Sequence, residues 1–348
     1  MPPPSSANEN PITATSAVSN PRNPATVINQ PSLIGSLKGR RELGVFGALV
    51  LMVLILAIGV PQFHTTDNLV NVARNFSFVG IVSLGMTLVI ITGGIDLSVG
   101  SVWGVTAVIA ATMMASGYSL VVSIVGSLLC AACIGLFNGL CITKLQMSPF
   151  VPTLATLSIA RSLALIITHG RPISDFGPST DAFLAIGGGD VFGIPNPVII
   201  FAVMGVAFWL LLSGTVWGRH VYAVGGNERA ARLTGLNVNR LKLTVYILSS
   251  VVAGIAGIVQ ASYLSSVTAN LATGQELFVI AAAVIGGTNL AGGEGSIPGV
   301  VIGAIILEVL RNGLLLFGID PYWQGVFVGA VIVLAVSIDY LRKRFHRE

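Results

Sequence analysis

Apolar runs alternate along this chain with short stretches rich in Gly, Pro, Asp, Asn and basic residues. The runs have the length of a bilayer crossing, which takes about 20 mostly apolar residues in a helix. Ten segments fit: Leu43 to Val60, closed by Pro61; Asn75 to Thr92; Ser98 to Ala115; Leu120 to Thr143; Phe150 to Thr168; Pro197 to Leu212; Thr244 to Leu264; Leu277 to Ala291; Ile297 to Phe317; and Trp323 to Tyr340. The eighth is short and turns Gly-rich at its end. The second and third, like the eighth and ninth, lie so close that each pair could pass for one long segment. The pattern predicts an all-α polytopic membrane protein with about ten transmembrane helices.

Composition agrees. Of 348 residues, 53% are hydrophobic and only 9% charged, whereas a soluble domain carries about 25% charged residues. So few charges cannot cover a soluble surface. The 41 glycines suit membrane helices, whose backbones approach closely where side chains are small. Residues 1–37, rich in Pro, Ser, Asn and Thr, bury too little apolar surface to offset their ordering entropy and are expected to form a disordered tail. Residues 38–342 form the membrane domain, and 343–348 a basic tail. No secretory signal peptide is visible. Cys130, Cys133 and Cys141 fall in one apolar segment. No second Cys or His pair completes a metal site, so they are expected to be small helix residues.

The charge distribution sets an orientation. With the N-terminus in the cytoplasm, Arg22, Lys38, Arg40, Arg41, Lys144, Arg219, Arg229, Arg232, Arg240, Lys242, Arg342, Lys343, Arg344 and Arg347 all fall on the cytoplasmic side. Arg171 alone among basic residues between spans falls outside, with Asp67, Asp175, Asp181, Asp190, Glu276 and Asp320. This is a strong positive-inside bias, and ten spans place both termini in the cytoplasm. The long loop 169–196 then lies outside, and the basic loop 214–243 inside.

Three kinds of motif carry candidate chemistry. In Thr92-Gly93-Gly94-Ile95-Asp96-Leu97-Ser98-Val99-Gly100, two glycines can end a helix in the left-handed region, and Asp96 or Ser98 can cap the next. Gly93, Gly94, Asp96, Ser98 and Gly100 are thus a tight turn or a gate. Around Asn227-Glu228-Arg229-Ala230-Ala231-Arg232-Leu233-Thr234-Gly235, a capped short helix with a glycine stop either docks a partner or is a solvated basic loop. G-x-x-x-G pairs (Gly100/Gly104, Gly135/Gly139, Gly299/Gly303, Gly325/Gly329) point to close helix crossings. Gly100 to Gly104 also resembles Gly295 to Gly299, since each stretch follows a Gly-Gly pair.

Charges inside spans are functional candidates. Glu308 and Arg311, three apart, are expected to pair on one helix face. Arg161 has no evident local partner. Asn75, Asn138 and Asn312 could line a pathway for hydroxylated solutes or hydrogen-bond between helices. No Walker A sequence occurs, and His64, His169, His220 and His346 have no ligand spacing. No catalytic residue, metal or cofactor is therefore expected in this chain.

Three stretches carry a resemblance: Gly85 to Ser101; Thr215 to Glu228, continuing through Ala230-Ala231 to Gly235; and Ile285 to Ser296. They resemble the ribose/xylose-type permeases of ABC sugar importers, the carbohydrate uptake transporter-2 group within the branched-chain-type permease superfamily. The resemblance implies a multi-pass protein of the cytoplasmic (inner) membrane, moving a monosaccharide or similar small polyol inward. It implies separate ABC ATPase subunits that bind the ATP, a periplasmic or extracellular sugar-binding protein and a second permease copy. Lipid surrounds the assembly, and nucleic acid is not among its partners. It gives Asn227, Glu228, Ala230, Ala231 and Gly235 the role of ATPase coupling, with Arg229 an insertion relative to the family's Glu-Ala-Ala…Gly loop. The alternative from another class is an ion-gradient-driven secondary transporter of a small polar solute, which would need an intramembrane carboxylate such as Glu308.

Overall fold

Backbone groups in hydrocarbon must be satisfied within their own segment, which makes helices the default for such apolar runs. The computed structural model describes residues 33–330 and Val333. In chain order the helices are α1 (Leu33–Gly59), α2 (Thr66–Ile91), α3 (Val99–Ala115), α4 (Leu120–Thr143), α5 (Phe150–Thr168), α6 (Thr180–Gly188), α7 (Asn196–Gly214), α8 (Val216–Gly226), α9 (Glu228–Leu233), α10 (Val238–Leu264), α11 (Gln275–Ile285) and α12 (Ile297–Leu316). A two-residue hairpin, β1 (Asp190–Val191) with β2 (Ile194–Pro195), precedes α7. A further helix starts over 324–330. Most of the expected tenth span, the tail 343–348 and residues 1–32 of the expected N-terminal tail lie outside the described residues.

Among the described residues, six helices (α2, α4, α5, α7, α10, α12) are long and apolar enough to cross a membrane; Leu43–Gly59, α3 and α11 are shorter apolar helices. The fourth and fifth expected spans coincide with α4 and α5. Others extend into polar sequence because capping, rather than hydropathy, decides where a helix starts. Thr65 accepts from Asn68 N, so α2 begins at Thr66 and not Asn75. Asn237 accepts from Arg240 N, so α10 begins at Val238 and not Thr244. Helix α1 reaches back to Leu33, inside the segment expected to be a disordered tail. The expected eighth span ends early, at Ile285. There Gly287 adopts φ +90°, and the Gly299 backbone occupies the space where a Gly286 Cβ would sit. Helix α6 and the hairpin were hidden in the long loop 169–196, because elements this short in Gly-rich sequence show no periodicity.

Helices α2, α3 and α10 form the interior. Nearly every α3 residue is buried, and Trp103 and Tyr246 are among the largest fully buried side chains. Around them α4, α5 and α7 expose Leu129, Phe137, Ile166, Val203 and Leu210, as lipid-facing helices do. Gly135 and Gly139 press against the α10 backbone at Tyr246, Ile247 and Leu243, and Gly299 and Gly303 against α11 at Gly286 and Ala282. Gly104 meets the Leu271 carbonyl in a loop and not another helix, while Gly325 and Gly329 have open space. At one end of the bundle the turn after α4, α8, α9 and the start of α10 gather Lys144, Arg219, Arg229, Arg232, Arg240 and Lys242. This is called the basic end below.

Candidate functional site

At the basic end, α9 is a single capped turn and a half. Asn227 sits in extended backbone and its side chain accepts from Ala230 N at 3.0 Å. The far end closes on Gly235 at φ +84°, with Leu236 N donating to Ala231 O at 3.2 Å, so residue types that nucleate and stop helices set both ends. Glu228 then fastens α9 to α10. Lys242 Nζ donates to its carboxylate at 2.6 Å and Arg232 Nη2 at 2.7 Å, while Arg232 also reaches Asn239 at 2.9 Å. The Lys242 ammonium, helped by Arg232, holds the Glu228 carboxyl below its ordinary range despite partial burial. Only Ala231 of α9 is buried; Arg229, Arg232 and Leu233 face outward, Leu233 at 89% exposure. A cavity of about 420 Å³ adjoins, lined by Trp217, His220, Leu236, Asn237, Arg240 and Thr244 among others.

Just before α9, the three glycine-bearing motifs meet backbone to backbone. Gly293 N donates to Ile91 O at 2.9 Å. A Cβ on Gly225 would overlap that same Ile91 oxygen and lie 2.6 Å from Gly293 N. Gly292, at φ +89°, lies against Gly225 O, Gly93 N and Ile91 O. Tyr222 of α8 donates to Gly295 O at 2.8 Å. The end of α2, the end of α8 and the loop 286–296 therefore share one junction, with no side chain thick enough to act as a cushion.

Beyond the junction, the turn between α2 and α3 buries Thr92, Asp96 and Ser98. Asp96 Oδ1 accepts from Ser98 N at 3.0 Å and Ser98 Oγ at 2.5 Å, and its other oxygen accepts from Ser249 Oγ of α10 at 3.3 Å. Asn138 of α4 donates to Ser98 Oγ at 3.0 Å and accepts from Thr156 of α5 at 2.9 Å. Ser98 is the N-cap of α3 but makes no side-chain cap bond, because Asp96 engages its hydroxyl. The carboxylate organises the turn and ties together α3, α4, α5 and α10.

Residues 68–336 match the family described as branched-chain amino acid transport system / permease component. This chain belongs to that permease family. It is similar to the ribose import permease protein RbsC of Escherichia coli (strain K12), at 41% identity over 293 residues, 84% of this chain and 91% of that one. The galactose/methyl galactoside import permease protein MglC of the same organism is 36% identical over 337 residues, 91% and 98% of the two chains. Among solved structures, a metal-chelate-type ABC transporter in an inward-facing conformation aligns at TM-score 0.49 and 16% identity, covering 86% of this chain and 99% of that one.

The remaining sequence-derived candidates of this permease lie apart from the junction. Arg311 Nη1 stands 3.5 Å from Glu308 Oε2, with Glu308 buried and Arg311 partly exposed. Asn75 also hydrogen-bonds the Glu308 carboxyl. Asn312 and Asn68 exchange two hydrogen bonds, 2.7 and 3.1 Å, joining α12 to α2. Asn75, Asn138 and Asn312 thus spend their amides between helices and form no common site. Among the described residues no cluster of His, Cys, Asp and Glu could hold a metal.

Sequence reasoning missed Lys242, whose partner Glu228 is fourteen positions away. It also left Arg161 unpaired. Its guanidinium donates to the carbonyls of Ala269 and Leu271 at 2.8 and 2.9 Å, more than a hundred residues on. The signal for Gly225, Gly292 and Gly293 was present as doubled glycines, but not that they touch.

Proposed function

We propose that this permease is the membrane-spanning subunit of an ATP-driven importer of a monosaccharide or similar small polyol, with α9 as the element gripped by separate ATPase subunits. One observation carries the reading. Helix α9 is held rigidly by Asn227, Gly235 and the Glu228 to Lys242 pair, yet presents Arg229, Arg232 and Leu233 outward, with no partner for the apolar tip among the described residues. A fixed helix ending on an exposed leucine beside Arg229 and Arg232 suits insertion into a groove on another protein. The likeness to permeases named for ribose and galactose import supports a sugar as the solute, pentose or hexose.

In this mechanism the basic end faces the cytoplasm, as the positive-inside rule requires. Two permease copies enclose the pathway, and a binding protein delivers sugar on the opposite side. ATP binding closes the ATPase pair and pushes α9. The glycine junction passes that displacement directly to the end of α2 and to the loop between α11 and α12, because backbones in contact cannot absorb it as side chains do. Selectivity for the sugar rests with the binding protein, consistent with spans that hold no dense cluster of aromatic and acidic side chains.

The test is affinity purification of tagged permease from its native membranes, with Leu233→Asp as the variant. Recovery of an ATPase with the native chain and its loss with the variant, at equal permease yield, is the expected result. A fully folded permease that transports on an ion gradient and recovers no ATPase would overturn the reading in favour of a secondary transporter, with Glu308 as its coupling carboxylate.

A further inference from the structure

The segment between α10 and α11 does not stay at the end of the bundle. It starts there, since Val267 pairs with Ile173 in the loop after α5, far from the basic end. By Leu271 its backbone lies against Gly104 and the Arg161 guanidinium, and by Ala272 it lies against Gly100, which the Glu276 side-chain carboxylate also meets. Gly100 precedes the end of α3 at Ala115 by fifteen residues, about 22 Å at 1.5 Å per residue. From the other side, Val279 O accepts from Ser83 Oγ, and Ser83 precedes the end of α2 at Ile91 by eight residues, about 12 Å. Both measures put Ala272 to Glu276 near the middle of a hydrocarbon core of about 30 Å. The chain therefore dips to mid-membrane as irregular backbone and leaves as the half-length helix α11.

Irregular backbone at that depth is tolerated only where protein or water covers it. Arg161 satisfies two of its carbonyls from within. The other side is open: Thr268, Asn270 and Thr273 are exposed, and Gln275 and Glu276 half-exposed. The exposed faces of α4, α5 and α7 at comparable depth are instead Leu, Val, Ile and Phe. A strip of hydroxyl, amide and carboxylate groups beside a helix N-terminus cannot face lipid without a large desolvation cost.

We infer that residues 268–276 line the translocation pathway and supply the hydrogen-bonding groups over which a neutral polyhydroxylated solute passes at mid-membrane, with Arg161 as the positioning residue that holds the dip in place. The Asn270 amide offers donors and an acceptor, and the Thr273 hydroxyl, which donates to Asn270 O at 2.8 Å, offers an acceptor; together they match sugar hydroxyls without fixing a single stereochemistry. The inference rests on the chain being a permease and deepens the proposed function.

The test is thiol accessibility in the assembled complex in liposomes. Asn270→Cys and Thr273→Cys are placed in a background with Cys130, Cys133 and Cys141 replaced by Ala, and Leu129→Cys on lipid-facing α4 serves as control. The probe is a charged, membrane-impermeant methanethiosulfonate. Modification at both pathway positions, at least tenfold faster than at 129 and changed in rate by ATP, is expected. Positions 270 and 273 as unreactive as 129, with and without ATP, would mean that lipid or a second protein surface covers the strip, and would overturn the inference. Reactivity at 270 and 273 that ATP leaves unchanged, in the complex with its ATPase present, would support the pathway while refuting the ATP-driven reading, so the two fail separately.

Discussion

Gly225 and Gly226 are neighbours at the end of α8, and the junction predicts opposite outcomes for the same substitution. A Cβ at 225 meets only backbone: the Ile91 carbonyl, overlapping it, and Gly293 N at 2.6 Å. Backbone cannot swing aside as a side-chain tip does, so α8 must separate from α2 or from the loop 286–296. Overpacking of this kind costs about 1–3 kcal/mol. Straining the Gly293 to Ile91 hydrogen bond adds about 1 kcal/mol. Replacing a helical Gly by Ala returns about 0.5–1 kcal/mol. The balance for Gly225→Ala is therefore a loss of about 1–3 kcal/mol. Gly226 has nothing within 4 Å of its Cβ position, so Gly226→Ala meets no clash and gains about 0.5–1 kcal/mol from backbone entropy. Thermal melting of the purified permease in detergent reads the difference, and sugar uptake per ATP hydrolysed in liposomes reads its effect on coupling. Gly225→Ala should melt several degrees lower and uncouple hydrolysis from uptake, while Gly226→Ala melts at or above the native temperature and transports normally. Equal melting and equal uptake for the two variants would refute the direct backbone contact and the transmission built on it.

Three further outcomes follow from the same geometry. Asp96→Ala leaves Ser98 N–H and two hydroxyls buried without their acceptor, at about 1–3 kcal/mol for each group left unsatisfied; folded yield in the membrane should collapse, whereas Asp96→Asn, which keeps an accepting oxygen, should be recovered near native level. Glu228, held below its ordinary value of 4.5 by Lys242, contributes its tether fully above that value and loses it only as pH falls through the depressed one. Protection factors of the α9 amides, corrected for intrinsic exchange rates, should therefore be the same at pH 6 and pH 8 and fall in Glu228→Gln at both. The tether is solvent-screened and worth about 1 kcal/mol or less, so native protection factors that change between pH 6 and 8 would contradict the assignment. Arg161→Met removes the donor of two buried carbonyl contacts, each about 1.5–3 kcal/mol for a charged donor; it should lower the melting temperature and open residues 265–274 to protease, with Arg161→Lys intermediate.

Much of this was legible in the chain itself. Helices α4 and α5 were bounded to the residue by their apolar runs, and at the start of α4 the Ser119 cap falls at the same place. The short helix at 228–233 was readable from Asn227 and Gly235, since helix nucleation and termination are local events. The Glu308 to Arg311 contact was readable because three residues on a helix guarantee a shared face. Where a helix continued past its apolar run, as α2 does before Asn75, hydropathy understated it and the cap at Thr65 decided.

What only the tertiary structure decided is which distant segments touch. The sequence shows doubled glycines at 93–94, 225–226 and 292–293, but a glycine marks a close approach without naming the partner. It shows Arg161 in an apolar helix, but not that Ala269 and Leu271 bring carbonyls to it. It shows a short eighth span, but not that the chain reaches it by dipping to mid-membrane. Local sequence sets helix ends because the energies involved act within a turn or two of the chain. The junction, the buried carboxylate network and the polar strip form between residues up to about two hundred positions apart. They exist because packing apolar helices in a membrane forces small residues together and leaves each buried polar group to find whatever partner that packing supplies.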